Sequence, residues 1–203
     1  MSKGGKVKSA GTKVAIIDLD SGNLLSIQTA VTEAGFELQV VQKPEQLDDD
    51  VNVLLMPGQG RFAFVASQID ALNWREFLLD WVGAGRKLIG ICVGMQVLFE
   101  SSEEDPEAKG LALLSGAVKR LRHPKAPMVG WAKLNSYKLS MQNQFAYFVN
   151  SYAAPDSDYC TAKVVYGDLF CAAVQKNNLY GFQFHPEKSG SFGRELIAYV
   201  CEQ

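Results

Sequence analysis

An α/β fold is predicted, with a central, mostly parallel sheet, helices flanking it, and antiparallel strands in the C-terminal half. Three observations carry that prediction. Short apolar runs alternate with amphipathic stretches through the first half of the chain. Gly, Pro and Asn punctuate the junctions. From Gly116 onward the pattern changes to closely spaced runs rich in Val, Tyr, Phe and Leu.

The first run, Lys13-Val14-Ala15-Ile16-Ile17, ends in Asp18 and reads as a strand buried on both faces. Ser21-Gly22-Asn23 then offers capping and turn residues to a helix. In it Leu24, Ile27, Val31 and Ala34 recur at three- and four-residue intervals until Gly35 stops the pattern. Phe36 to Val41 and Val51 to Met56 are two further strands, separated by an acidic loop containing Pro44 and Asp48-Asp49-Asp50. A helix through Trp74, Phe77, Leu78 and Trp81 ends near Gly83 and Gly85, and Lys87 to Ile91 returns as a strand. Beyond Gly116, strands are expected at Ala117 to Leu121, Ala146 to Ser151, Thr161 to Tyr166, Cys171 to Gln175 and Leu179 to Phe184, with a hairpin turn at Lys176-Asn177-Asn178. A closing helix puts Phe192, Leu196, Tyr199 and Val200 on one face. On this reading residues 13–203 form a single domain, and residues 1–12 precede it as a flexible basic tail.

Composition excludes several functions. The 203 residues are 47% apolar and 21% charged, as in a soluble globular protein. Lys plus Arg (20) nearly balances Asp plus Glu (22), so nothing global attracts nucleic acid or an acidic membrane face. The longest uncharged apolar stretch, Leu88 to Phe99, is interrupted by Gly90 and Gly94 and falls well short of the ~20 residues that span a bilayer. Met1 to Lys13 carries four lysines but no apolar segment, so it is not read as a secretory signal, and the cytoplasm is the expected location.

Of the four cysteines, none forms a C-x-x-C pair and none stands at zinc-finger spacing with His123 or His185, so no metal site is expected. Cys160, Cys171 and Cys201 read as small core residues. Cys92 differs. In Gly90-Ile91-Cys92-Val93-Gly94-Met95-Gln96 it follows an apolar strand and precedes a helix-like run through Val97, Leu98 and Phe99, with glycine two residues to either side. That is the nucleophile-elbow pattern with sulfur in place of oxygen, a tight strand-to-helix turn that exposes the side chain where a helix start favours the thiolate. The alternative is a buried cysteine in a glycine-containing turn.

A thiolate nucleophile that expels an amine or ammonia also requires a proton donor. His123 lies in the charged loop Arg122-His123-Pro124-Lys125 and reads as a solvated residue. His185 ends the apolar run Tyr180 to Phe184, and Pro186 biases it towards extended geometry, placing the imidazole at a sheet edge. Glu187 is then positioned to orient the ring and stabilise its charged form. Met56-Pro57-Gly58-Gln59-Gly60 follows a strand and offers either backbone N–H groups to an oxyanion or simply a turn.

In this order and spacing, Pro57-Gly58-Gln59-Gly60, Gly90 to Gln96 and Phe184-His185-Pro186-Glu187-Lys188-Ser189-Gly190 resemble the class I (triad) glutamine amidotransferases, from about Lys13 to the C-terminus. Met95, with Lys188 and Ser189, makes the chain similar to the glutaminases of imidazole glycerol phosphate synthase. It separates the chain from the anthranilate and guanylate synthase glutaminases, which usually carry His after the elbow glycine. The vitamin B6 glutaminase shares the Met but not the Lys-Ser.

The resemblance implies the amidotransferase fold, L-glutamine as substrate, no cofactor, and a (β/α)8 cyclase subunit as heterodimer partner in histidine biosynthesis. It implies that Cys92 attacks the glutamine amide carbon, His185 shuttles protons and Glu187 orients His185. The backbone amides of Gln59 and Val93 would hold the oxyanion. Gly60 and Gln96 would help hold the substrate, and Ser151, Tyr152 and Ala153 would present backbone to its amino-acid group. Asn23, Trp131 and Lys188 would face the cyclase. Three positions depart from the family: Gln59 where Val is frequent, Asn150 where His is common and Ala132 where Asn is usual. Two other readings use the same chain. A non-catalytic, partner-binding subunit leaves Cys92, His185 and Glu187 without a purpose, and a cysteine peptidase leaves Pro57 to Gly60 and Lys188 unexplained.

Overall fold

The structure, a computed structural model, describes residues 11–22, 24–138 and 140–203, so Asn23 and the first ten residues of the expected tail lie outside the described residues. The elements of the first half are β1 (Lys13–Ile17), α1 (Leu25–Glu33), β2 (Glu37–Val41), β3 (Val53–Gly58), α2 (Phe62–Ala71), α3 (Trp74–Gly83), β4 (Lys87–Cys92) and α4 (Val93–Gln96). The second half contributes β5 (Ser101–Ser102), β6 (Ala117–Arg120), β7 (Met128–Lys133), β8 (Asn135–Ser136), β9 (Phe145–Asn150), β10 (Tyr152–Ala153), β11 (Cys160–Tyr166), β12 (Asp168–Lys176), β13 (Leu179–Phe182) and α5 (Gly190–Glu202).

One eight-stranded sheet runs in the order β2-β1-β3-β4-β13-β12-β11-β8. It is parallel from β2 to β13 and antiparallel from β13 to β8. The antiparallel strands therefore extend the first sheet, and β13 is the seam, pairing parallel with β4 and antiparallel with β12. Two small sheets, β10-β6-β5 and β7-β9, flank it. Strands β3 and β4 are buried almost throughout, as expected for central parallel strands covered on both faces. The buried residues from Val14 to Cys201 form one continuous cluster, in which Phe148 meets Phe170 and Phe184 edge-on at 5.8 and 5.7 Å.

Several expectations require correction. Strand β3 runs on through Pro57 and Gly58, so the Pro-Gly pair is strand and only Gln59 and Gly60 form the turn. Helix α1 begins after Leu24, which makes no side-chain capping bond, so Ser21 and Gly22 act as turn residues only. Helix α2, unpredicted, buries Phe62, Val65, Ala66 and Ile69 at helical spacing. Its first amides are satisfied from far along the chain: Phe62 N–H donates to Glu104 Oε2 (2.9 Å) and Ala63 N–H to Asp105 Oδ2 (3.0 Å). The helix after Cys92 is a single turn rather than a run through Phe99. On α5 the buried stripe is Gly193, Leu196, Ile197, Val200 and Cys201, and Tyr199 is exposed instead. Cys160 and Cys171 are not separate core cysteines: neighbouring strands join their sulfurs as a disulfide, Cα atoms 5.5 Å apart. Among the described residues no helix is long and apolar enough to cross a membrane.

Candidate active site

Parallel pairing places the carboxyl ends of β3, β4 and β13 along one edge of the sheet, and each ends in one of the three sequence motifs. Gly58 pairs with Cys92 and Phe182 with Ile91, so Gln59, Cys92 and His185 leave the sheet side by side. His185 thus stands at the carboxyl edge of the sheet, beyond a central strand rather than an outer one.

Cys92 occupies φ 56°, ψ −115°, a conformation that costs a non-glycine residue on the order of 1–3 kcal/mol and that nucleophile elbows adopt. The surrounding glycines make the turn possible. A Cβ on Gly94 would stand 1.9 Å from the Met56 carbonyl oxygen, and one on Gly90 would stand 2.6 Å from that of Gly94. Backbone therefore packs on backbone beneath the cysteine, which has a free thiol and is 5% exposed.

His185 is 4% exposed, and its backbone N–H donates to the Tyr147 carbonyl at 2.9 Å. Its Nδ1 lies 2.8 Å from Glu187 Oε1. A carboxylate only accepts, so Nδ1 carries the proton and Nε2 is the ring nitrogen left to interact with Cys92, whose sulfur also lies 4.0 Å from the Val149 carbonyl oxygen. Burial opposes charging of the ring, but its interactions with Cys92 and Glu187 outweigh it and raise the pKa to about 9. Glu187 Oε2 is buried with no hydrogen-bond partner among the described residues, so the orientation of the carboxylate rests on His185.

Ser189, singled out earlier only as part of a motif, ties this corner together. Its hydroxyl donates to the His185 carbonyl (2.7 Å) and accepts from Tyr147 N–H (3.0 Å), fixing the histidine to β9. No local pattern announces such a role. His123 is not simply solvated: its ring stacks on Tyr166 at 4.0 Å, and Nδ1 accepts from Lys125 N–H.

A cleft of about 260 Å³ opens over Cys92, lined by Gly60, Val93, Gln96, Ser151 and Tyr152 together with Glu104, Pro127, Val149 and Asn150. Five residues expected to hold substrate or oxyanion therefore surround the thiol. Ala153 does not: it pairs with Lys119 and lines a separate cleft of about 270 Å³ with Arg122 and Asp168. Neither Cys92 nor His185 lines that second cleft. Gln59, one residue beyond β3, packs its side chain against Gly22. Trp131 and Lys188 are exposed, away from the cleft. The one group of three potential metal ligands among the described residues is Asp156, Cys160 and Cys171. Its sulfurs are joined to each other and Asp156 pairs with Lys163 at 2.6 Å, which leaves no ligand set there.

Comparison with known proteins gives a consistent result. The Glutamine amidotransferase class-I family matches residues 15–200. The "Imidazole glycerol phosphate synthase subunit HisH" of Thermus thermophilus is 39% identical over 189 residues, covering 92% of this chain and 95% of that protein. The protein of the same name from Staphylococcus aureus is 38% identical, covering 93% and 96%. Among solved structures, one described as a glutamine amidotransferase superposes with a TM-score of 0.77 at 19% identity, covering 94% of this chain and 99% of its own. PurLQS from Thermotoga maritima gives 0.70 at 18%, covering 95% and 98%. At such identities the two structures bear on the fold alone.

Proposed function

Because the chain belongs to the class I glutamine amidotransferase family, we propose that the cleft over Cys92 is where it hydrolyses glutamine. The chain is the glutamine-using subunit of an imidazole glycerol phosphate synthase, a cytoplasmic heterodimer in which a (β/α)8 cyclase subunit consumes the ammonia in histidine biosynthesis. Residues 13–203 act as one glutaminase domain.

The single observation that carries the reading is the buried group Cys92, His185 and Glu187, in which the His185 ring is hydrogen-bonded to Glu187 at 2.8 Å and Cys92 lines the cleft. In the proposed reaction the Cys92 sulfur, as thiolate, adds to the glutamine side-chain carbonyl carbon, and the carbonyl electrons move to oxygen. Backbone N–H groups of Gln59 and Val93, at the ends of adjacent strands, supply the donors for that oxyanion. The tetrahedral adduct collapses, the C–N bond breaks, and charged His185 protonates the departing nitrogen, leaving a thioester and ammonia. Neutral His185 then takes a proton from water, whose oxygen adds to the thioester carbon. Cleavage of the C–S bond releases glutamate. Glu187 keeps Nε2 directed at sulfur and stabilises the charged ring.

The partner face is supported by a second observation. Val129 and Trp131 on β7, with Phe145 and Val149 on β9, are all exposed and alternate with buried Met128, Ala146 and Phe148. This apolar face, with exposed Lys188, is where the cyclase subunit docks in our reading.

Cys92→Ala in the reconstituted complex tests the assignment. Glutamine-dependent synthesis should be abolished and synthesis from added ammonia retained, because the nucleophile serves only the ammonia-generating half. Equal loss with both nitrogen sources would overturn this division of labour.

A further inference from the structure

Gln183 is fully buried on the sheet, its backbone N–H tied to the Ala172 carbonyl at 2.9 Å, and nothing in the chemistry above uses it. Its side chain meets that of Gln96, which lines the cleft. The Gln96 Nε2 amide donates twice, to the Tyr152 carbonyl and to Gln183 Oε1, both at 3.0 Å. Asn150 Nδ2 donates to the same Tyr152 carbonyl, also at 3.0 Å. Two of the three partners could exchange their amide ends, but the Tyr152 carbonyl is backbone and can only accept. It therefore fixes the Gln96 amide with nitrogen inward, and Gln183 must answer with oxygen. Both Nε2 hydrogens of Gln96 are then committed to the protein, which turns Oε1 to the cleft as a pure acceptor.

We infer that Gln183 is a positioning residue that locks Gln96 in the polarity selected by the Tyr152 carbonyl, so that the site offers an acceptor to the α-ammonium of glutamine. The inference rests on the glutaminase reading above. Glutamine has two donor groups. Its carboxamide must lie at the Cys92 sulfur to react, which leaves the ammonium, whose hydrogen bond to an amide oxygen is charge-assisted. Without the Gln183 acceptor one Gln96 hydrogen would lose its partner, and the amide, held by the Tyr152 carbonyl alone, would rotate more freely and present Oε1 to the substrate cation less often. Gln183 Nε2 has no partner among the described residues, so the oxygen of this side chain, rather than its nitrogen, is the end in use.

The test uses the complex with the cyclase, Gln183→Met and Gln183→Glu, with L-glutamine and with glutaric acid monoamide, which lacks the amino group. Met matches the length of Gln without the acceptor, and Glu restores the acceptor. Gln183→Met should raise KM for glutamine about tenfold, with kcat within a few-fold, and should narrow the preference for glutamine over the monoamide by a similar factor. Gln183→Glu should keep KM close to that of the unaltered complex. Should Gln183→Met fail to fold, Gln183→Glu decides: a tenfold rise in its KM means the lost nitrogen mattered and overturns the inference. An unchanged KM and preference in folded Gln183→Met also overturns it. Failure of the glutaminase reading would look different, since the unaltered complex would then release no glutamate.

Discussion

His185 carries opposed influences, burial against charging and its interactions with Cys92 and Glu187 for it, and the balance raises its pKa from the ordinary 6.5 to about 9. Because the folded value lies above the unfolded one, its contribution to stability is complete below about pH 6.5 and is lost as pH rises through about 9. With only two histidines in the chain, NMR titration of the imidazole carbons resolves it directly. A midpoint near 9 is expected, falling towards 6.5 in Glu187→Gln, whose amide cannot stabilise the charge; an unshifted midpoint in the unaltered protein would contradict the geometry. The same substitution should lower kcat by roughly two to four orders of magnitude with the fold retained. At this scale the three residues proposed to react were legible, singled out by motif, and the structure brings His185 and Glu187 to 2.8 Å of each other. Gln183, Ser189 and the Glu104–Asp105 pair were not. Their partners lie between 4 and 87 residues away and are defined only once strands are paired.

The elements divide by how much of their cause is local. Strands β1, β3 and β4 are continuous apolar runs, and the turn at Asn177 takes the positive φ (53°) that Lys176-Asn177-Asn178 suggested. Helix α2 was missed although its apolar spacing is regular, because its starting caps come from residues some forty positions away and no local Ser, Thr, Asp or Asn marks the boundary. The one-turn α4 was overestimated for the opposite reason. Val97, Leu98 and Phe99 look helical, but their carbonyls serve the loop that precedes β6: Leu111, Leu114 and Ala112 donate to them in turn. The elbow makes an element-scale prediction. Gly94→Ala drives a methyl into the Met56 carbonyl, and because the contact is with backbone it should destabilise by at least about 1–3 kcal/mol. Gly83→Ala, at the end of α3 with nothing within 4 Å, should be neutral or stabilise by up to about 1 kcal/mol. Urea denaturation of the two variants checks the contrast, and equal stabilities would contradict the backbone packing proposed beneath Cys92.

At the scale of the whole molecule, one mixed sheet holds Cys92 and His185 at its central carboxyl edge, and the β7-β9 pair turns an apolar face outward. If that face docks the cyclase, Trp131→Ala should weaken the heterodimer by about 2 kcal/mol or more, as aromatic anchors at interfaces do, while leaving the isolated chain's melting temperature nearly unchanged. Calorimetric titration of the variant with the cyclase measures this, and unaltered affinity would place the interface elsewhere. The mixed sheet itself was only half legible, because its two halves read as separate textures and the parallel β13–β4 pairing that merges them joins residues about ninety positions apart. That pairing is also what brings His185 towards Cys92, so that the two can act as one unit. The most direct test is mass-spectrometric mapping after exposure of the complex to a glutamine-like electrophile. A single adduct on Cys92, formed much more slowly in His185→Asn, is the predicted result; adduct on Cys201 with loss of glutamine turnover while Cys92 stays unmodified would contradict it.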